Sequence, residues 1–305
     1  MRILTIGETT YDISFRDGQP TSACSGGSAY NSAISLGRCG LPVSLISTFG
    51  KDHIGDLSYA FLETNGVNCD LIKRFTGQSR VALAFFNSDN NANYSFYAAS
   101  SDVAPDYPDP QKNDIILLGS SFALRDNGRD QLLEFLSNAK KAGSITIYDP
   151  NARQSVIGNP AIIHKILENI SLSNIVKGSD EDFRNIFGIT NGKNVYSHIS
   201  EEGNPILVYT KGPDGAELLT PDLHLIVSAL KTHVVSTIGA GDNFSAGIVY
   251  GLFHQLKGNL ILNDLQTNNW EDIMDYASMF ASAVCESAEN YLPAEMGKTL
   301  RNDSI

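Results

Sequence analysis

No run of apolar residues in this chain is long enough to cross a bilayer. The longest weakly polar stretch, Phe244 to Phe253, carries glycines at 247 and 251 and falls well short of the roughly 20 residues a spanning helix needs. The first ten residues, MRILTIGETT, turn polar too early for the apolar centre of a secretory signal, so a cytoplasmic location is expected. Cysteine is scarce and scattered, at 24, 39, 69 and 285 with no CxxC spacing, which argues against structural zinc and a disulfide framework. Clustered Lys and Arg are missing too. With 34 acidic against 22 basic residues the formal charge is −12, and nucleic acid is not an expected partner because phosphate neutralisation needs a basic surface. What is present is ordinary for a globular protein: 305 residues, 42% apolar and 18% charged, enough for one large α/β layer structure with an appendage, or for two domains.

Short apolar runs alternate with longer amphipathic stretches, the pattern of strands joined by crossover helices in a parallel sheet. Strands are expected at Ile3 to Ile6, Val43 to Thr48, Ile115 to Leu118, Ile145 to Tyr148, Ile175 to Lys177 and Ile206 to Tyr209. Most are near-continuously apolar, as strands covered on both faces should be. Helical periodicity marks Ala29 to Leu36, Asp130 to Lys140 and Asp272 to Cys285. Two stretches depart from this scheme. Residues 11–15 and 79–97 alternate with period two, the second as a hairpin turning at Asn87 to Asn93. They predict a small separate sheet, a lid, made of residues 9–20 and 79–97, beside a larger body of residues 1–8, 21–78 and 98–305.

Two constellations carry chemistry. Ser236 to Phe244 (STIGAGDNF) follows a strand-like Val234-Val235 and opens a helical stretch. Its glycines, 239 and 241, therefore lie at a helix N-terminus, where free N–H groups bind anions, and Asp242 sits where a hydroxyl nucleophile would arrive. Asp242 as a plain N-cap after a glycine turn explains the same residues. No Lys follows the glycines, which excludes a Walker A loop, and Phe244 excludes a dinucleotide fingerprint and with it a nicotinamide oxidoreductase. The second constellation is Gly26-Gly27-Ser-Ala-Tyr-Asn31, whose amide offers both donor and acceptor to polyol hydroxyls. A loop with a helix-starting Asn is its alternative. Asp12 lies opposite the Tyr11, Ile13, Phe15 face of its strand, in contact with ligand or simply solvated.

GGxxxN, GxDxxG at Gly50 to Gly55 and TxGAGDxF at Thr237 to Phe244 occur in this order at large separations, joined by Gly7-Glu8, DPNxR at Asp149 to Arg153 and TKGPDG at Thr210 to Gly215. In these motifs the whole chain resembles the PfkB, or ribokinase-like, carbohydrate kinases, and among them most resembles fructokinases. The resemblance implies a ribokinase-like α/β fold, with a central mainly parallel sheet flanked by helices and a small β-sheet lid. It implies an ATP-dependent sugar kinase in which Asp242 is the general base and Gly239, Ala240 and Gly241 form an anion hole for the transferred phosphate. Asp12, Gly26, Gly27 and Asn31 would hold sugar hydroxyls, and Arg153 would face an anionic or polar substrate end. Lys177, Ser179, Thr210, Gly212 and Gly215 would serve the nucleotide, which brings magnesium.

The chain departs from the family pattern at three places. The family's magnesium-holding NxxE reads Ser179-Asp-Glu-Asp182, so Asp182 would act through water. Ser236 replaces an Asp tied to potassium in some members, and Ser278 replaces an Asn beside adenine. Potassium dependence is therefore left open. The alternatives to a fructokinase are a 2-keto-3-deoxygluconate kinase or ribokinase, and a catalytically silent sugar-binding protein on the same fold. Val81, Leu83, Phe85 and Phe86 would leave an apolar lid face exposed, so a homodimer formed through the lid is expected.

Overall fold

Ile3 and Leu4, neighbours in the first strand, belong to different hydrophobic cores. The computed structural model describes residues 1–86, 92–97, 103–152, 157–257 and 260–302. In chain order its strands are β1 (Ile3–Ile6), β2 (Thr10–Arg16), β3 (Gln19–Gly26), β4 (Val43–Gly50), β5 (Ile72–Phe75), β6 (Val81–Phe86), β7 (Ala92–Tyr97), β8 (Ile115–Gly119), β9 (Ile145–Asp149), β10 (Ile175–Ser179), β11 (Ile206–Thr210), β12 (Ala216–Leu219) and β13 (His224–Val227). The helices are α1 (Ser28–Arg38), α2 (His53–Thr64), α3 (Arg129–Ala142), α4 (Pro160–Ser171), α5 (Asp180–Phe187), α6 (Gly192–Ser200), α7 (Ala240–Gln255), α8 (Thr267–Cys285) and α9 (Ala294–Asn302).

Nine strands form one sheet in the order β13-β12-β11-β10-β9-β8-β1-β4-β5. It is parallel from β11 to β5 and antiparallel at β12 and β13. Odd and even residues of the central strands point to opposite faces. Ile3, Leu45, Ile115 and Ile147 therefore pack with α1, α7 and α8, while Leu4, Ile46, Ile116 and Tyr148 pack with α3 to α6. With both faces covered, the six strands expected from the sequence have no polar face to show. Among the described residues no helix is long and apolar enough to cross a membrane.

The second sheet has the order β3-β2-β6-β7. β2 pairs antiparallel with β3 and parallel with β6, and β6 pairs antiparallel with β7. Its second strand in sequence, β3, is one the sequence pattern does not mark: QPTSACSG holds few apolar residues, so the strand shows no alternation, and it carries the small sheet on to Gly26. The tip expected at 87–93 lies outside the described residues from 87 to 91, and 92 and 93 already belong to β7. Phe15 and Phe85 stack across β2 and β6 at 4.9 Å. Phe86 has the alternation of buried Ala82 and Ala84, so it does not share the face of Val81, Leu83 and Phe85 as expected.

The entry to β6 is tied to the larger body by the GxDxxG motif. Asp52 caps α2 by accepting from Gly55 N–H at 2.8 Å and also accepts from Ser79 N–H and Oγ, both at 2.7 Å. Burial opposes the Asp52 charge, but these hydrogen bonds and Arg74 outweigh it and hold the carboxyl below its usual range. The motif anchors the entry to β6.

Candidate active site

The strand expected at Val234-Val235 is absent. Residues 228–239 form no strand, and the two valines are 55% and 57% exposed. The chain reaches α7 instead through a turn at Gly239, whose φ of +81° lies in the left-handed region and whose Cα is so close to Asn290 that a Cβ would lie 2.4 Å from the Asn290 carbonyl oxygen. Only glycine fits there. Gly239 is the N-cap of α7, so Asp242, in the first turn, is not. Of the expected anion-hole amides, Ala240 N–H is turned to the Thr237 carbonyl at 3.3 Å, whereas Gly239 and Gly241 N–H have no acceptor among the described hydrogen bonds.

Asn31 is likewise not a helix-starting residue. α1 begins at Ser28 behind Gly27, with φ +121° and the Glu8 carbonyl 2.3 Å from where a Cβ would stand. Asn31 is buried one turn later and donates from Nδ2 to Asp242 Oδ2 at 2.8 Å, 211 residues away in sequence. Its own Oδ1 is buried with no partner among the described residues. Ser32 Oγ donates to the Asp242 carbonyl at 2.9 Å. Ser35 Oγ donates to Asn243 Oδ1, and accepts from Leu292 N–H at 2.9 Å. Asn243 in turn donates to the carbonyls of Gly239 and Asn290 at 2.8 and 2.9 Å. Ser32, Ser35 and Asn243 are missing from the sequence reading. Their signal is polar side chains inside helices whose neighbours are apolar, with Ser35 at the i+4 spacing that puts it on the face of Asn31.

Asp12, on β2, accepts from Thr10 Oγ1 at 2.7 Å, and its Oδ2 would stand 2.8 Å from a Cβ placed on Gly26. Asp12, Gly26, Gly27 and Asn31 thus come together at the junction of the two sheets, with Asp242 opposite.

Below the glycine turn that opens α7 lies a buried ion pair. Lys177, midway along β10, and Asp149, at the end of β9, are 4% and 3% exposed and meet at 2.8 Å; Ser245 Oγ donates to the same Asp149 oxygen at 2.9 Å. Burial alone would push the Lys177 ammonium down, but the charges of Asp149, Asp182 and Asp242 outweigh it and raise it, so the ammonium stays charged. Burial pushes Asp149 up, against the pull of Lys177. A Cβ on Gly241 would lie 3.3 Å from Lys177 Nζ, so the ammonium sits directly under the loop.

Asp182 is fully engaged by the protein. One oxygen accepts from Ala152 N–H at 2.6 Å and the other from Ser179 N–H and Oγ, at 2.7 and 2.6 Å, as a capping box for α5. Among the described residues no group of three His, Cys, Asp or Glu side chains is placed to hold a metal ion. Ser179 and Thr210 are register partners at the ends of β10 and β11. Gly212 and Gly215 both take positive φ in the loop after Thr210, and a Cβ on Gly215 would strike the Val227 carbonyl at 2.1 Å. Ser278 is buried on α8, which packs along α7, and no described hydrogen bond links it to that loop. Ser236 Oγ accepts from Ile238 N–H at 3.2 Å. Arg153 lies outside the described residues.

Three comparisons place this geometry among known proteins. The model of the pfkB family of carbohydrate kinases matches residues 2–295. A fructokinase from Rhizobium leguminosarum bv. trifolii is 30% identical over 263 residues, 82% of this chain and 79% of its own. In fold, the chain superposes on aminoimidazole riboside kinase from Salmonella enterica, complexed with aminoimidazole riboside and an ATP analog, with TM-score 0.82 at 21% identity, covering 99% of this chain and 100% of that one. It also superposes on a fructokinase double mutant from Vibrio cholerae O395 in its fructose-, ADP- and potassium-bound form, with TM-score 0.81 at 22% identity, covering 95% and 93%.

Proposed function

The chain belongs to the pfkB family of carbohydrate kinases, and from that premise we propose that it is an ATP-dependent sugar kinase of the fructokinase type with Asp242 as general base. The observation that carries the reading is the hydrogen bond from Asn31 to Asp242 at the first turn of α7. It fixes one carboxylate oxygen and leaves the other for the proton of the sugar hydroxyl. Phosphoryl transfer runs through a loose transition state in which positioning and charge stabilisation matter more than base strength.

The free amides of Gly239 and Gly241 are the donors this chain offers to the transferring phosphate, with the buried Lys177 charge beneath them. A preorganised charge of this kind, shielded from water, is worth far more than the same charge in solvent. Asp12, Gly26, Gly27 and Asn31 hold the sugar, and the loop from Thr210 to Gly215 takes the nucleotide, with Ser179 at the neighbouring strand end. Magnesium carried by the nucleotide would neutralise the triphosphate, and Asp182, whose carboxylate accepts from Ala152 and Ser179, would reach it through water. The small sheet closes over the sugar, and a second copy of the chain covers its outer aromatic residues.

A coupled ADP-release screen over fructose, ribose, tagatose, 2-keto-3-deoxygluconate and nucleosides tests the reading. Fructose or a related ketose is the expected acceptor. Phosphorylation of nucleosides with no activity on any sugar overturns it.

A further inference from the structure

Between the small sheet and the ends of β1 and β8 lies a cavity of about 340 Å³, lined among others by Glu8, Thr10, Tyr11, Arg80, Tyr107 and Arg125. It adjoins the sugar loop on two sides. Thr10 Oγ1 is bonded to Asp12, and Ser58, also in its wall, shares a 2.7 Å hydrogen bond with Ser25, the residue before Gly26. Phosphoryl transfer as described above uses none of the charged groups in this cavity. Asp126 and Arg129 also line it but pair with Lys165 and Glu168, which do not; the other charged groups are one carboxylate and two guanidiniums, joined between the small sheet and the larger body. Glu8 Oε2 accepts from Arg80, at the entry to β6, and from Arg125, beyond β8, at 2.7 Å; its other oxygen accepts from Ser121 Oγ. Each guanidinium also lies over an aromatic ring, Arg80 over Phe96 at 5.1 Å and Arg125 over Phe122 at 4.8 Å, so both are held in place by more than the carboxylate. Arg80 Nε is buried with no partner among the described residues.

Two arginines converging on one point are the geometry that recognises a carboxylate or phosphate. In this cavity the chain supplies the anion itself. We infer that Glu8 is a specificity-determining residue: by occupying the Arg80–Arg125 fork it makes the cavity accept the uncharged, hydroxyl-bearing end of a sugar and reject an end bearing phosphate or carboxylate. This rests on the sugar-kinase reading above. An anionic end has to displace Glu8, leaving a half-buried carboxylate without its partners, or lie against it at like charge, and both arrangements are unfavourable. A hydroxyl needs neither. It takes the remaining N–H groups of the two arginines, and Glu8 stays in place. Specificity of this kind comes from the repulsive element built into the site rather than from added attraction.

The test is steady-state ADP release by the purified full chain on a neutral ketohexose, its 6-phosphate and a sugar acid, with the melting temperature of each variant measured alongside. The wild type should prefer the neutral sugar in kcat/KM by at least about 100-fold. Glu8→Gln, which keeps the shape and removes the charge, should narrow that ratio at least about tenfold, chiefly through a lower KM for the anionic acceptors. Arg125→Gln, which leaves Glu8 less compensated, should widen it. A merely structural role for the cluster would move both variants in the same direction. A wild type that uses the 6-phosphate as well as the neutral sugar overturns the inference without any variant. So does a ratio that Glu8→Gln leaves unchanged while neutral sugars are still phosphorylated. Phosphorylation of no sugar, neutral or anionic, overturns the sugar-kinase reading itself.

Discussion

Along α1, Asn31, Ser32 and Ser35 are at most 4% exposed and hydrogen-bonded across to α7, while on the small sheet Phe85, Phe96 and Tyr97 are 42%, 47% and 60% exposed. The first region is polar and buried; the second is aromatic and open. Buried polar groups are unfavourable unless satisfied, so the α1–α7 seam admits one arrangement, and that arrangement sets Asp242 and the glycine turn before it. The small sheet is held to the body at the entry to β6, through Asp52 and Ser79 and through Glu8 and Arg80, and at β3, through Ser25 and Ser58. A sheet held at a few points, with its aromatic face open, contrasts with a seam in which every polar group is placed against another helix.

The sharpest way to break this division is Asp242→Asn. It should leave the fold and nucleotide binding intact and lower turnover on the order of 100-fold or more, as loss of a general base does. Near wild-type turnover in an ADP-release assay would remove the base from the seam. Asp12→Ala comes next. In the same assay it should raise the sugar KM by about tenfold and lower kcat less, while sparing the KM for ATP, because a polar group matched to a sugar hydroxyl is lost. An equal change in both KM values would mean that the small sheet does not discriminate between the substrates.

Ser35→Ala addresses the seam without touching substrate. It strips a partner from Asn243 Oδ1 and Leu292 N–H, both buried, and should cost about 1–3 kcal/mol, read as a melting temperature lowered by several degrees. An unchanged melting curve would contradict the rigidity assigned to the seam. The least disruptive test uses the unmodified chain. Light scattering at micromolar concentration should give a dimer, with Phe85→Ser shifting it towards monomer, since exposed aromatic residues on a thin sheet invite a partner. A wild-type monomer, with or without sugar, would leave the aromatic face of the sheet unexplained.

Six central strands and three helices are legible in the sequence because each buries an apolar pattern of the right period, and period survives without knowledge of the partner. β3 is not, because a strand of Thr, Ser, Ala and Cys at the edge of a thin sheet has no face to alternate. Val234-Val235 misleads for the converse reason: two β-branched residues read as strand, but in the fold no neighbouring strand offers them a ladder. The site divides in the same way. Glycines that need positive φ or contact another backbone, at 27 and 239, stand out as motif residues, whereas Ser35 and Asn243 look like any polar residue in a helix.

The sequence by itself determined the layer architecture, the existence of a second small sheet and the family, because these rest on local periodicity and on short motifs whose residue types chemistry restricts. Only the tertiary structure decided what those residues touch. Asp242 is held by Asn31 and is not a helix cap, Asp182 is spent on Ser179 and Ala152, and Glu8 lies between Arg80 and Arg125. Hydrogen bonds and ion pairs depend on distance in space, and residues 211 apart in the chain carry no mark of lying 2.8 Å apart until the sheet and its helices have closed around them.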